Sequence, residues 1–164
     1  MFNRSEELRQ LTEHIQLVDM RFGELSAKAE AMESPENTPV FSLATWYEEE
    51  AEARQRREND DGSEEPMRRV QISLRVELET ERGRISVVPQ ARYHVPEEYA
   101  HLLSPPLLAD YFNETAISVL VPFAREALYE LSLKVFNARI VMPLFGPGDL
   151  TFTVDSLPYP ISPC

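Results

Sequence analysis

The chain has 164 residues, of which 43% are hydrophobic, and it carries a formal net charge of -12. This length and composition predict one globular domain. The acidic balance argues against nucleic acid or an anionic membrane as the main partner, because proteins meet both with basic surfaces.

Three features of the sequence bear on where the protein works. Runs free of charged residues, such as 115–124, reach only about half the length of a membrane-spanning helix, so membrane insertion is not expected. Cys164 is the only cysteine, which excludes an intramolecular disulfide. The N-terminus, MFNRSEELRQL, is charged where a secretory signal would be apolar. We therefore expect a cytoplasmic protein.

Residues 1–14 are predicted to form an N-terminal arm, either a short helix or a mobile segment. Ser5 precedes two acidic residues and resembles a helix N-cap, and Leu8 and Leu11 are three apart.

Two strands are predicted next. Val18, Met20 and Phe22 alternate with polar residues, which indicates a strand ending near Leu25, and small apolar residues continue the alternation beyond it. The turn-like sequence ESPENTP then leads into VFSLATWY, which is rich in strand-forming residues. Residues 48–58 fit either helix or strand, and we slightly favour an exposed edge strand. Residues 60–66 are predicted to be a loop.

The clearest signal is a hairpin. Five apolar residues alternate without error with polar ones from Val70 to Leu78, which predicts a strand with one buried face. TERGR forms the turn, and a returning strand runs from Ile85 to Val95. Pro89 cannot donate a ladder hydrogen bond, so we expect it at a bulge or an edge.

The remainder is predicted to be helical and then irregular. Helical turns are expected at Pro96 and after Ser104, followed by one helix from Ile117 to Val135 that is kinked at Pro122. Strands followed by helices predict an α+β fold, a four-stranded antiparallel sheet with a long C-terminal helix packed on one face. The expected division is an arm at 1–14, the α+β domain at 15–145 and a proline-rich tail at 146–164. The alternative for LTFTV, within the tail, is a short strand.

No catalytic or metal-binding signature is present. The chain lacks the spacings of common nucleophile, phosphate and zinc sites. His94 and His101 are seven residues apart across a proline, which is not a ligand spacing. The acidic pairs lie in polar contexts that give no reason for shifted pKa values. We expect no enzyme activity, no metal and no cofactor.

The chain instead has more apolar side chains than one sheet face and one helix layer would bury. This surplus indicates either an oligomer interface or a groove that binds extended segments of other proteins. The predicted groove residues lie in VFSLATWY and in HLLSPPLLADYF: Phe41, Leu43, Trp46, Leu103, Leu107, Leu108, Tyr111 and Phe112.

One segment resembles a known family. VPFAREAL, at 121–128, is similar to the FPYARE signature in the main helix of SecB-type export chaperones, with Pro122, Ala124, Arg125 and Glu126 matching and Phe123 between them. The order of the strands, the central hairpin and the segment ARIVMPLF also resemble the family, over roughly residues 15–145.

The resemblance implies a SecB-like fold that assembles as a dimer of dimers. It also implies ATP-independent holding of unfolded or nascent chains in apolar grooves, with no catalysis and no cofactor. Family members deliver clients to the SecA motor or guard a dedicated partner such as an antitoxin.

The sequence departs from the family in three places. The glycine-rich turn after the main helix is replaced by KVFNAR, and the final helix has no counterpart. Of the acidic positions that meet SecA, Asp19 matches, but Gly23 and Val88 occupy the others. The alternative to a chaperone is a non-catalytic α+β scaffold that binds one specific protein partner.

Overall fold

The structure, a computed structural model, describes residues 3–30, 39–56 and 64–144, with the backbone alone for 50–56, 64 and 65. Its helices are α1 (Arg4–His14), a 3-10 helix (Glu97–Leu102), α2 (Pro105–Tyr111), a π-helical turn (Phe112–Ala116) and α3 (Ile117–Phe136). Its strands are β1 (Gln16–Ala29), β2 (Val40–Arg56), β3 (Glu64–Thr80) and β4 (Gly83–Pro96).

The four strands form one antiparallel sheet in the order β1-β4-β3-β2. Helix α3 packs against β4, β1 and β3 and covers one face of this sheet. The alternating row of β3 from Val70 to Leu78 is fully buried beneath the helical layer. The predicted α+β class, with four antiparallel strands and a long C-terminal helix, is confirmed.

Strand β1 carries two bulges that the sequence pattern did not reveal. The register with β4 shifts between Leu17 and Asp19, and again between Phe22 and Glu24. Pro89 of β4 pairs with Phe22 beside the second bulge, which confirms the expected bulge position even though β4 is a central strand.

Strand β2 is longer than its apolar part. It continues through Arg56, so the slight preference for strand over helix at 48–58 is confirmed as far as residue 56, and 57 and 58 lie outside the described residues. The predicted loop at 60–66 was drawn too long, because residues 64–66 pair with β2 and belong to β3. Cross-strand pairing with 54–56 provides the hydrogen bonds that local polarity did not predict.

The β3–β4 hairpin closes tightly through Glu81 and Arg82. The next residue, Gly83, has φ +145°, and a Cβ there would lie 2.0 Å from the Lys28 carbonyl oxygen. Only glycine fits this position.

Helix α1 is docked on the domain. Its N-cap is Asn3, whose side chain accepts from the Ser5 amide, so the predicted cap at Ser5 was wrong. Leu11 is fully buried in the common core, and Arg4 donates to Asp110 of α2 from Nε and Nη2 at 2.6 and 2.9 Å. The division of the chain into arm, domain and tail stays a prediction.

The C-terminal helical layer runs from residue 105 to residue 136. Ser104 precedes α2 as predicted, and α3 continues through Pro122 as one helix. The kink itself stays a prediction. The helix ends at Asn137, which adopts the left-handed conformation with φ 51°. The tail and LTFTV lie outside the described residues.

Candidate functional site

Three of the predicted groove residues lie on the edge strand β2, on two different faces of the sheet. Phe41 pairs with Leu78 and Leu43 with Val76, which places both on the face that α3 covers. Trp46 pairs with Ser73 and therefore lies on the opposite, open face. All three side chains are partly exposed, so an extended chain that lies along β2 would contact both faces.

The other five predicted groove residues are in the core. They are buried where α2 and the π-helical turn pack on the sheet: Leu103, Leu107, Leu108, Tyr111 and Phe112. The sequence suggested a surplus of apolar residues because only one helix was expected to bury them. In the structure, α2, the π-helical turn and α3 each bury one face. A client would reach these residues only if that layer opened. Their role in client binding stays a prediction.

Two buried tyrosines, Tyr93 and Tyr111, are shielded from solvent in this layer. The rings of Tyr93 and Tyr111 meet edge to face with centroids 5.7 Å apart. Burial raises the pKa of Tyr111 to about 12, and burial also raises the pKa of Tyr93. Both hydroxyls therefore stay neutral and act as core groups.

The family-like block in α3 divides between the core and the surface. Ala124 is fully buried, whereas Phe123 is 40% exposed and Glu126 is also exposed to solvent in part. Arg125 donates from Nη2 to the carbonyl oxygen of Pro143 at 3.2 Å, so it fixes the chain that follows the helix. Pro122 lies inside the helix, on its exposed side.

An apolar groove, here called the β1–α3 groove, runs between the edge strand β1 and α3 and has a volume of about 330 Å³. Its lining residues are Phe22, Leu25, Phe123, Glu126, Ala127, Glu130, Leu131 and Lys134. Leu25 is 52% exposed and lies within this apolar surface, which is the kind of patch that marks an interaction site. The alternation in the sequence predicts Leu25 at the end of a strand and gives it no function. The signal in the sequence is that the apolar residues occupy even-numbered positions from Val18 to Phe22 and then the odd-numbered position of Leu25.

The open face of the sheet is rich in charged side chains of both signs. Asp19, the predicted docking carboxylate, lies on this face with its Oδ2 3.6 Å from Nη1 of Arg92. Arg21 donates to the amide oxygens of Gln90 and Gln71. Arg75 lies 5.3 Å from the ring centre of Trp46 and 3.6 Å from the carboxylate of Glu24. Among the side chains that the structure describes, the face combines cations with carboxylates.

His94 also lies on the open face, next to Arg69, whose Nε is 3.5 Å from the imidazole Nε2. Burial lowers the pKa of His94, and the positive charge of Arg69 adds to that effect. Among the residues that the structure describes, no three His, Cys, Asp or Glu side chains gather as they would around a metal ion. In the same part of the chain, no helix has the length and apolar character needed to cross a membrane.

Comparison with known proteins identifies the fold. No family model and no curated protein matches the chain. Among solved structures, it is similar to the SecB-like chaperone Rv1957 of Mycobacterium tuberculosis, in complex with a ChAD peptide from the HigA1 antitoxin. The TM-score is 0.53 at 15% sequence identity, over 88% of this chain and 100% of that one. A protein of unknown function from Streptococcus agalactiae matches at 11% identity and a TM-score of 0.42, over 79% of this chain and 97% of that one. The chain therefore has a SecB-like fold.

Proposed function

We propose that this protein is an ATP-independent chaperone that holds unfolded polypeptides, without catalysis and without a cofactor. The observation that carries the proposal is apolar surface along the edge strand β2 of the SecB-like fold, where Phe41, Leu43 and Trp46 are partly exposed. Apolar contact is non-directional and suits clients of many sequences. Binding the unfolded chain and not the folded one lowers the free unfolded population by mass action.

The β1–α3 groove supports self-association as a homo-oligomer, with a dimer of dimers as the expected assembly. An edge strand with exposed leucines beside an apolar helix flank is a surface that a second copy would bury. Leu25→Asp is expected to lower the mass measured by light scattering. Val40→Asp is the matched control, because Val40 is 54% exposed on the other edge strand, outside this groove. Equal masses for the two variants would argue against this interface.

The edge of β2 supports client contact through Phe41, Leu43 and Trp46. An extended segment beside an edge strand directs alternate side chains to the two faces of the sheet. Phe41 and Leu43 would meet one set of client side chains, and Trp46 would meet the other. The apolar character of both faces of VFSLATWY then has a function in client binding.

Besides unfolded clients, we expect a dedicated protein partner, such as an antitoxin, rather than SecA. Docking to an acidic sheet face requires carboxylates that are free to meet a basic partner. Here Asp19 lies beside Arg92, and Arg21 and Arg75 occupy the same face. Weak, salt-insensitive binding to SecA is therefore expected. Tight binding that weakens steeply with salt would instead show that the open face retains the export role.

The decisive experiment is suppression of aggregation of a chemically denatured model protein, at stoichiometric ratios and without ATP. The expected result is clear suppression that is unchanged by ATP. No suppression, combined with a monomeric mass in solution, would refute the proposal. A pull-down that returned one stoichiometric partner, with no suppression, would identify the protein as a scaffold for that partner.

A further inference from the structure

The chain reverses direction after α3 and runs back along the helix. Residues 138–144, here called the return segment, follow the left-handed Asn137. The Ile140 amide donates to Ser132 Oγ at 3.1 Å, and the Pro143 carbonyl accepts from Arg125 Nη2 at 3.2 Å. The later residue of the segment thus meets the earlier residue of the helix, so the two run antiparallel.

The return segment has the side-chain pattern of a strand without belonging to a sheet. Residues 139–144 form neither helix nor strand. Ile140 is partly buried and Met142 is 1% exposed, whereas Val141 and Leu144 are 61% and 86% exposed. From residue 138 to residue 142, alternate side chains therefore point into the protein, and the alternation ends before the exposed Leu144. Side chains of α3 bind the backbone of the segment. Extended peptides bound in grooves are held in this way.

The surface beneath this segment, here called the return groove, differs from the β1–α3 groove. Arg125 and Ser132 are seven residues apart, about two helical turns, and share one flank of α3. Phe123 and Glu130, which line the β1–α3 groove, share another flank. The offset of two residues corresponds to about 200°, so the two grooves lie on opposite flanks.

The polar groups of the return groove are suited to a backbone. Ser132 is fully buried, and its hydroxyl donates to the Tyr129 carbonyl and accepts from the Ile140 amide. Nε of Arg125 is buried without a hydrogen-bond partner among the described residues. If the return segment left, the Ser132 hydroxyl would need another amide donor and the Arg125 guanidinium would need another carbonyl acceptor.

We propose that the return groove is a second client-binding site and that the return segment occupies it in the free protein. The ligand is an extended polypeptide segment with apolar side chains at alternate positions. Such a segment would replace Ile140 and Met142 with its own side chains, and its backbone would take the bonds from Ser132 and Arg125. The segment therefore limits client binding until a client displaces it. This inference rests on the proposed chaperone function.

The test weakens the resident segment and leaves the groove intact. In the full-length chain, Met142→Ser removes the buried anchor, and Arg139→Ser is the matched control because Arg139 is exposed on the same segment. The probe is a fluorescent synthetic peptide with the sequence of residues 137–144. Met142→Ser is expected to bind it about tenfold more tightly than the unsubstituted chain, with no gain for Arg139→Ser. Ser132→Ala in the Met142→Ser background should lose part of the gain.

Binding of reduced, carboxymethylated α-lactalbumin, a permanently unfolded protein, is measured in parallel. If the unsubstituted chain holds lactalbumin but Met142→Ser gains no peptide affinity, the return segment is ordinary core packing and the inference is wrong. If neither the unsubstituted chain nor its variants hold lactalbumin, the chaperone proposal fails. Peptide binding still reports whether the return groove accepts an extended segment.

Hydrogen exchange decides the question if Met142→Ser does not fold. The Ile140 amide of the unsubstituted chain is expected to lose protection when lactalbumin binds. Unchanged protection at saturating lactalbumin would overturn the proposal.

Discussion

Leu108 of α2 tests whether the five buried apolar residues of the helical layer belong to the core or to a client site. Its side chain is fully buried. Leu108→Ala removes three carbon atoms, which costs about 2.4 kcal/mol in transfer free energy, and the cavity raises the total to about 3–4 kcal/mol. This is a large fraction of the roughly 5–15 kcal/mol that stabilises a typical domain.

The assay is urea unfolding followed by circular dichroism, at one fixed protein concentration because self-association also contributes to stability. Leu144→Ala is the matched control, since Leu144 is 86% exposed and its truncation should change the unfolding free energy by less than about 0.5 kcal/mol. A loss below about 1 kcal/mol for Leu108→Ala, together with lost client binding, would refute the assignment to the core. It would show that α2 lies open in solution and that Leu108 lines the client groove.

Three further predictions concern the sheet. Burial lowers the pKa of His94 in the folded protein, so His94 takes up a proton in the unfolded chain first as the pH falls below about 6.5. The urea midpoint should therefore fall as the pH decreases from about 6.5 to the pKa of His94 in the folded protein. His94→Gln should reduce this pH dependence and His101→Gln, at an exposed position, should not; equal slopes would contradict the burial argument. Gly83→Ala should cost about 2 kcal/mol or more in unfolding free energy, because the added Cβ meets the Lys28 carbonyl, whereas Glu81→Ala in the same turn should be nearly neutral. Trp46→Asp should weaken lactalbumin binding several-fold with little change in the urea midpoint, and Ser42→Asp on the same face should not; a matching loss for both would indicate a charge effect.

The bulges in β1 show where a single-strand pattern is insufficient. Val18, Met20 and Phe22 alternate regularly, which is why the strand was predictable. The bulge at Gly23 depends on β4, where Pro89 lacks a donor and the Gln90 side chain lies 2.6 Å from where a Gly23 Cβ would be. No pattern within β1 carries that information. The direction in which Leu25 points was therefore outside the reach of sequence analysis.

The groove residues show the same limit at the level of layers. In the sequence, Leu107 and Leu108 fit an exposed apolar patch as well as they fit a buried core. Only the joining of α1, α2 and the π-helical turn with the sheet in one hydrophobic core decides that they are buried. The return segment is a further case, because its two side-chain partners on α3 lie 8 and 18 residues earlier in the chain.

The sequence by itself determined the elements whose signal is local. The error-free alternation in β3, the turn before Gly83 and the helical spacing from Ile117 predict strands, hairpin and helix, because side-chain direction repeats with the period of the backbone. The block from Pro122 to Glu126 indicated the kind of fold. The tertiary structure alone decided which apolar side chains are buried, which edge of the sheet stays open, and that Arg125 fixes the chain after the helix. Those outcomes depend on contacts between residues far apart in the chain, and such contacts leave no period in the sequence.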